Sequence, residues 1–326
     1  MRTIRALPLP ALALAIATSV GQPSIMTSDV SHPPHDTFVL GERPFAPSSS
    51  WNTPIPPNAI LEPLDWPSTA RFGVAWSSYS PAVYVASDSD PIVSVKHPTS
   101  WGRPANILKI RIPINADGAP GTDGELLVID GDAVHNFWQF RRLDAETATA
   151  QSYATTNVIT GSGWGCPSPF VGAGIVATGS SQLAGLLVEA ETKREEIAHA
   201  LQISIDARFA KPGHSDEAIN GDGRYSNGMI QEGQRLAIPA HETMPTGLSP
   251  LGQKVFRAYQ RYGAYVVDIA ENVTHLRAQA NAYDQPTISA LQRDLARVSP
   301  SLQRVRNDHI SPSSCSDVNR LHRDHR

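Results

Sequence analysis

A β-hairpin between Gly121 and Arg141 constrains the fold of this chain more than any other segment. Two apolar-rich runs meet at Asp130-Gly131-Asp132, and Asp-Gly between such runs is a strong signal for a tight hairpin turn. Residues that pair across an antiparallel hairpin share a face. With a two-residue loop, one face carries Asp123, Glu125, Asn136 and Trp138, and the other carries Leu126, Val128, His135, Phe137 and Gln139. A three-residue loop would break this pairing.

The first 21 residues have the composition of a secretory signal peptide. Residues 1–5 include two arginines, and residues 6–20 form an apolar run followed by small residues. This run, about 15 residues long, is too short for a comfortable membrane span. The sequence therefore predicts a secreted or periplasmic protein with no membrane span after signal removal, and a retained anchor is the alternative.

Composition favours a β-rich extracellular protein and argues against a nucleic-acid partner. The chain has 326 residues and a net charge of −4, with scattered lysines and arginines, whereas nucleic-acid binding needs a basic face. Charged residues make up only 18%, and there are 27 prolines. Because proline breaks helices, this composition suits short strands and loops.

Short strands recur along the chain, while helical signals are few. Strands are expected over residues 71–76, 82–86, 91–96, 106–113, 147–156, 199–206, 234–239, 264–269 and 275–279, the last two as a pair. Helices are expected after the N-cap Ser249 and over residues 286–298, with weaker helical signals at 183–187 and 192–195. The predicted fold is mainly β, an antiparallel sandwich of jelly-roll or lectin-like type with two to four surface helices.

The chain divides into four predicted segments. Residues 1–21 form the signal peptide, 22–49 a flexible leader, 50–298 a single β-rich domain, and 299–326 a polar C-terminal tail. Within the domain, residues 208–233 form a long polar loop, and such loops in compact domains are usually functional or mobile.

The first candidate site is the carboxylate face of the hairpin. Asp123 and Glu125 lie two residues apart, which places their Cβ atoms about 6–7 Å apart on a strand. This spacing suits the acid and base, or the acid and nucleophile, of a glycosidase. Trp138 could stack on a sugar, with Asn136 beside it. Alternatively, Asp123 is a turn residue and Glu125 an exposed charge at a sheet edge.

The opposite face offers a different chemistry. His135, Gln139 and Arg141 resemble the set that a polysaccharide lyase needs, in which a cation or amide neutralises a uronate and a base removes a proton. Tyr262 is a further candidate for substrate binding, and His199 for a catalytic base at a strand end. The favoured alternative is that each histidine is buried, His135 as a satisfied residue of the core and His199 with its Nδ1 bonded to the backbone.

The two cysteines, Cys166 and Cys315, are predicted to form a disulfide in an oxidising compartment. Such a bond would close a loop of about 150 residues and contribute about 4–5 kcal/mol in the chain-entropy model.

No metal or cofactor is predicted. Asn220-Gly221-Asp222-Gly223 resembles the start of a calcium loop, but later positions lack the required glycine and oxygen ligands. Zinc-ligand spacing and nucleotide-binding motifs are also missing from the sequence.

Four segments together resemble a group of secreted bacterial proteins without a firmly assigned activity. They are Ser50-Trp-Asn-Thr-Pro-Ile-Pro56, Pro81-Ala-Val-Tyr-Val-Ala86, Gly121-Thr-Asp-Gly with Asn136-Phe-Trp-Gln139, and Gln260-Arg-Tyr-Gly-Ala-Tyr-Val-Val-Asp268. The resemblance implies export and a single large domain. The predicted sandwich, by analogy at the level of the fold, and the carboxylate face lead to the hypothesis of an exported enzyme that cleaves a polysaccharide, by hydrolysis or elimination. The alternative is a non-catalytic carbohydrate-binding or cell-envelope protein, and the oligomeric state is left open.

Overall fold

The fold is mainly β. The computed structural model describes residues 38–100, 104–167, 170–215 and 217–306, so the predicted signal peptide and residues 307–326 lie outside the described part. Within these ranges there are nineteen strands and two α-helices. The strands are β1 (Leu61–Glu62), β2 (Phe72–Ala75), β3 (Ala82–Val85), β4 (Ile92–His97), β5 (Asn106–Arg111), β6 (Leu126–Asp130), β7 (Ala133–Trp138), β8 (Arg141–Arg142), β9 (Thr147–Thr149), β10 (Ser152–Asn157), β11 (Cys166–Pro167), β12 (Phe170–Val171), β13 (Leu201–Asp206), β14 (Ala210–His214), β15 (Ile230–Glu232), β16 (Arg235–Ala237), β17 (Ala264–Ala270), β18 (Thr274–Arg277) and β19 (Gln303–Val305). The helices are α1 (Pro250–Arg261) and α2 (Gln285–Val298).

The largest sheet has seven strands in the order β1-β19-β16-β17-β13-β18-β2. It is mixed, because β13 runs parallel to β17 and β18 runs parallel to β2. The expectation of purely antiparallel sheets is therefore wrong. The two strands expected as a pair near the C-terminal end both form, as β17 and β18. They do not pair with each other, because β13 lies between them and pairs with both.

Two four-stranded sheets follow the orders β10-β7-β6-β3 and β5-β4-β9-β8, and each contains one parallel pair. The single strand expected over residues 147–156 is two strands, β9 and β10, which belong to different sheets. Strands β14 and β15 pair with each other inside the segment expected to be a long loop.

Three apolar clusters set the order of the layers. The first packs α1 and α2 against one face of the large sheet and includes Val255, Leu291 and Val266. The second joins the other face of that sheet, through Tyr265, to Leu127 of β6. The third joins the far face of β6 to β4 and β5. The order is helices, large sheet, then the two smaller sheets, because each strand alternates its side chains between two faces.

Both helices begin and end where local signals predict. The Ser249 side chain caps α1 by accepting a hydrogen bond from the Gly252 backbone, and the Asp284 side chain does the same for α2 from Thr287. The apolar residues at helical spacing in each helix are buried. Gly263 follows α1 with a φ of 72°, a conformation that favours glycine.

The central hairpin has the predicted register. Asp130 pairs with Ala133 across the two-residue turn, and Gly131 has a φ of 61°. Leu127, Ile129, Val134 and Asn136 face the large sheet, and the alternate residues face β4 and β5.

Three other expectations from the sequence are wrong, because tertiary contacts determine the structure of those segments. Phe38 and Phe45 are buried, so residues 38–49 of the expected flexible leader pack on the domain. Strand β19 inserts between β1 and β16, which places residues 303–305 of the expected tail inside the large sheet. The helical signal at 183–187 gives turns, and the segment after it forms only a short 3₁₀ helix at Glu189–Lys193.

Candidate functional site

Two adjoining cavities lie between the hairpin and the large sheet. Their volumes are about 730 and 580 Å³. Five residues line both of them: Asp123, Glu125, Arg224, Asp268 and Ile269. The cavities therefore form one cleft, and three carboxyl groups lie at the junction of its two halves.

A β-bulge in β17 directs Asp268 into this cleft. Ile203 of β13 pairs with Val266, but the next residue, Ser204, pairs with Asp268, so one residue of β17 is extra. Without the bulge, strict alternation would turn Asp268 towards the helices with Val266. Bulges commonly re-aim a side chain beside a functional site.

A buried arginine, Arg277 of β18, neutralises part of this negative charge. Its Nη2 donates to Glu125 Oε2, and its Nη1 lies 3.8 Å from Asp268 Oδ2. Only 1% of the Arg277 side chain is exposed. Burial opposes its positive charge, but the nearby carboxylates, chiefly Glu125 and Asp268, raise its pKa overall. Arg277 is thus a fixed cation under the cleft.

Asp123 and Trp138 meet at the end of the hairpin. The indole Nε1 donates to Asp123 Oδ1 over 3.4 Å, and both side chains are partly exposed at the cleft. Asp123 precedes β6, and its backbone carbonyl accepts a hydrogen bond from the backbone N–H of Gln139. Asp123 is therefore a turn residue, as the alternative interpretation held, and it still lines the cleft.

His275 contributes a neutral imidazole to the larger cavity. It lies two residues before Arg277 on β18 and faces the same side. Burial, together with the positive charge of Arg277, lowers its pKa to about 4. At neutral pH it is therefore an uncharged hydrogen-bonding group.

Three carboxylates converge on the wall of the cleft. One oxygen from each of Asp222, Glu232 and Asp268 lies within 4.8 Å of the others. Burial, then the charges of Asp222 and Asp268, raises the pKa of Glu232 to about 8. Burial also raises the pKa of Asp268 to about 7, with Arg277 opposing and Asp222 and Glu125 adding to the rise. Among the described residues, these three acidic groups lie close enough together to hold one metal ion; Asp222 and Asp268 line the cleft, and Glu232 lines neither cavity.

Several residues proposed from the sequence do not reach the cleft. His135 is buried on the opposite face of the hairpin, where its Nδ1 bonds the Tyr153 hydroxyl over 2.9 Å. Asn136 is fully buried, and its amide group bonds backbone atoms of three other segments. Tyr262 is buried at the end of α1. None of these three residues lines either cavity of the cleft, so their contacts serve packing.

Gln139 and Arg141 are exposed but lie outside the two cavities of the cleft. Gln139 has a φ of 51° and donates from its side chain to the Thr122 carbonyl. Its amide group therefore holds the turn that carries Asp123. His135, Gln139 and Arg141, which were expected to form a lyase-type site, therefore do not come together at the cleft.

His199 forms a buried ion pair away from the cleft. Its Nε2 donates to Glu191 Oε1 over 2.7 Å, and its Nδ1 donates to the Ala200 carbonyl over 2.9 Å. Because the Glu191 carboxylate and the Ala200 carbonyl both accept, both ring nitrogens of His199 must carry protons. Burial lowers the pKa of His199, but the charge and hydrogen bond of Glu191 outweigh it, so the pKa is raised overall.

This pair predicts a pH dependence of stability. A raised pKa in the folded state gives a stabilising contribution that is complete below about pH 6.5 and is lost as the pH rises through the folded-state value. We expect the free energy of unfolding to fall as the pH rises above about 6.5, the unfolded-state value, and the fall to be smaller in His199→Gln. Urea unfolding at several pH values measures this. An equal fall in the variant would contradict the assignment.

Cys166 is buried, while Cys315 lies outside the described residues. The disulfide between them stays a prediction.

Asp268, His275 and Arg277 were not predicted from the sequence as members of the cleft, and Asp222 and Glu232 were predicted only as part of the long polar loop 208–233. One signal was available, because Asp268 closes the apolar run of residues 264–267, and an acidic residue at the end of a buried strand is unusual. Arg277 similarly follows Leu276 within a short strand. Neither signal shows which other segments lie nearby.

No family model, curated protein or solved structure matches this chain. Among the described residues, no helix has the length and apolar character needed to cross a membrane.

Proposed function

We propose that this protein is an exported enzyme that hydrolyses a polysaccharide in the cleft, with Asp123 and Glu125 as the carboxyl pair. The observation that carries the proposal is the junction of the two cavities at the same carboxyl groups. A polymer lying along both cavities would present a glycosidic bond at this junction, with sugar units on either side. Glycosidases use two carboxyl groups flanking the scissile bond.

The surroundings of the two carboxyl groups suit different roles. Glu125 is buried and paired with the guanidinium of Arg277, so it suits the anionic role of nucleophile or base. Asp123 is partly exposed and lines both halves of the cleft, where it can reach a leaving oxygen of a bound chain. It suits the role of proton donor to the leaving oxygen.

Aromatic residues on both sides of the junction support carbohydrate as the ligand. Trp138 lines the smaller cavity beside a wall of small residues that includes Gly172 and Gly174. Tyr79 and Tyr225 line the larger cavity. Aromatic rings combine an apolar face with a polar edge, which matches the two kinds of surface on a sugar ring.

The charge of the cleft favours hydrolysis of a neutral glycan over elimination of a uronate. Acidic residues outnumber arginines along the two cavities. Six acidic residues line them, against the three arginines Arg208, Arg224 and Arg277; the acidic residues are Asp123, Glu125, Asp206, Asp222, Asp268 and Glu271. A uronate carboxylate would meet net negative charge there. His135, the base considered for elimination, is enclosed in the core.

The test is turnover of a polysaccharide panel that includes neutral glycans and uronates, followed by reducing-end release and ultraviolet absorbance of unsaturated products. Reducing ends without absorbance from a neutral glycan are expected, with early products longer than disaccharides. Absorbance with a uronate would replace hydrolysis by elimination. Binding without turnover on any substrate would overturn the enzyme proposal in favour of a non-catalytic carbohydrate-binding protein.

A lectin-like sandwich remains our proposal for the two four-stranded sheets. Its support is the apolar cluster that joins β4 and β5 to the far face of β6 and β7. Export likewise rests on the residue pattern of positions 1–21.

A further inference from the structure

We propose that Asp222, Glu232 and Asp268 bind a divalent cation, with Ca²⁺ as the ion best suited to the site. The three residues come from the 220–225 loop, from β15 and from the bulged part of β17. Their ligand oxygens lie within 4.8 Å of one another, which is about twice the typical Ca²⁺–oxygen distance of roughly 2.4 Å. After small side-chain movements one ion can contact all three, since Ca²⁺ accepts oxygen ligands at roughly 2.3–2.6 Å in flexible geometry. Hard oxygen donors select Ca²⁺, Mg²⁺ or Mn²⁺ over softer metals.

An unsatisfied oxygen on Glu232 points independently to a ligand. Glu232 has no exposed surface. Its Oε2 accepts hydrogen bonds from the backbone amides of Asp222 and Gly223, while its Oε1 has no hydrogen-bond partner among the described residues. A buried carboxylate oxygen without a partner is costly. A bound cation would supply the missing interaction.

The local charge also calls for a cation. Each of these carboxyl groups lies close to two others, while the buried arginine Arg277 pairs with Glu125 and has its Nη1 3.8 Å from Asp268 Oδ2. Arg277 is thus shared between Glu125 and Asp268. A cation among the three carboxyl groups would add positive charge that one shared guanidinium cannot supply to all of them.

A cation here would connect three segments of the cleft wall. The 220–225 loop carries Arg224 and Tyr225, which line the larger cavity, and it is held to Glu232 by two backbone hydrogen bonds. Binding would fix this loop against β17, beside the carboxyl groups at the junction. The cation site does not rest on the proposed hydrolysis.

The experiment is calorimetric titration of the full-length protein with CaCl₂, and separately with MgCl₂, after treatment with a chelator and its removal. We expect one Ca²⁺ per chain and a rise in melting temperature that depends on Ca²⁺ concentration. Asp222→Asn should weaken binding by at least about 10-fold, since even changes outside the ligand shell commonly cost this much. Asp222 is exposed, so this variant is expected to fold.

Glu271→Gln is the matched control, because Glu271 lines the same cleft but is not one of the three ligands. It should bind Ca²⁺ within about twofold of the unmodified protein, since Glu271 is exposed and solvent and salt screen a charge outside the ligand set. The cation site would be overturned if the unmodified protein bound no Ca²⁺. It would also be overturned if Asp222→Asn and Glu232→Gln bound Ca²⁺ as tightly as the unmodified protein. Asp123→Asn should keep Ca²⁺ binding even if it abolishes turnover, so the two proposals fail separately.

Discussion

Replacing Asp123 by asparagine is expected to lower the kcat of polysaccharide hydrolysis by about 100- to 10,000-fold, the usual contribution of a general acid. The substitution is nearly isosteric, and the amide oxygen can still accept the hydrogen bond from the Trp138 indole. Fold and substrate binding should therefore change little, whereas no proton can be transferred. Initial rates of reducing-end release, on the best substrate of the panel, measure the effect.

Glu125→Gln should lower kcat over a similar range, since an amide cannot serve as nucleophile or base. Glu271→Gln is the control for loss of a negative charge from the cleft, because Glu271 lines the larger cavity away from the junction. We expect its kcat to stay within about threefold of the unmodified enzyme, as for a charge that takes no part in the reaction. Full activity of Asp123→Asn would remove this residue from the catalytic pair.

Replacing Arg277 by alanine is expected to reduce the free energy of unfolding by about 3–5 kcal/mol, the typical cost of breaking a buried ion pair. The reason is that Glu125, which is only 4% exposed, would keep a buried negative charge without its counter-ion. Asp268 would lose its nearest cation as well. Urea unfolding at neutral pH gives the value, provided that the slope with urea concentration is unchanged.

Two further variants separate the charge effect from lost packing. Arg261→Ala removes an arginine whose ion pair with Glu196 is about half exposed, and should cost below about 1 kcal/mol. The double variant Glu125→Leu/Arg277→Met replaces both charges by apolar groups and should recover most of the lost stability. A cost for Arg277→Ala as small as that of Arg261→Ala would contradict a structural role for the buried pair.

Sequence analysis predicted those features that short stretches of chain specify by themselves. The Ser249 cap with Pro250 and Gly263 defined α1, because capping and left-handed backbone depend on adjacent residues. Asp130-Gly131-Asp132 defined the hairpin turn and hence which residues share a face. The mainly β class followed from the same local patterns.

Which strands become neighbours could not be read in this way. The alternation in β13, β17 and β18 predicted three strands, but their order in the sheet depends on packing between residues that are distant in sequence. The helical pattern at 183–187 failed for the same reason. These residues are buried among other segments, and tertiary packing overrides weak helical preference.

By itself, the sequence determined the hairpin and, through its register, the face that carries Glu125 and Trp138. Tertiary structure alone decided what stands opposite that face. The bulge in β17 directs Asp268 into the cleft, and β18 brings Arg277 beneath Glu125, across 152 positions of the chain. Local rules act over a few residues through backbone geometry and capping. A cleft forms from segments that meet only after burial of their apolar faces has fixed the order of the sheets.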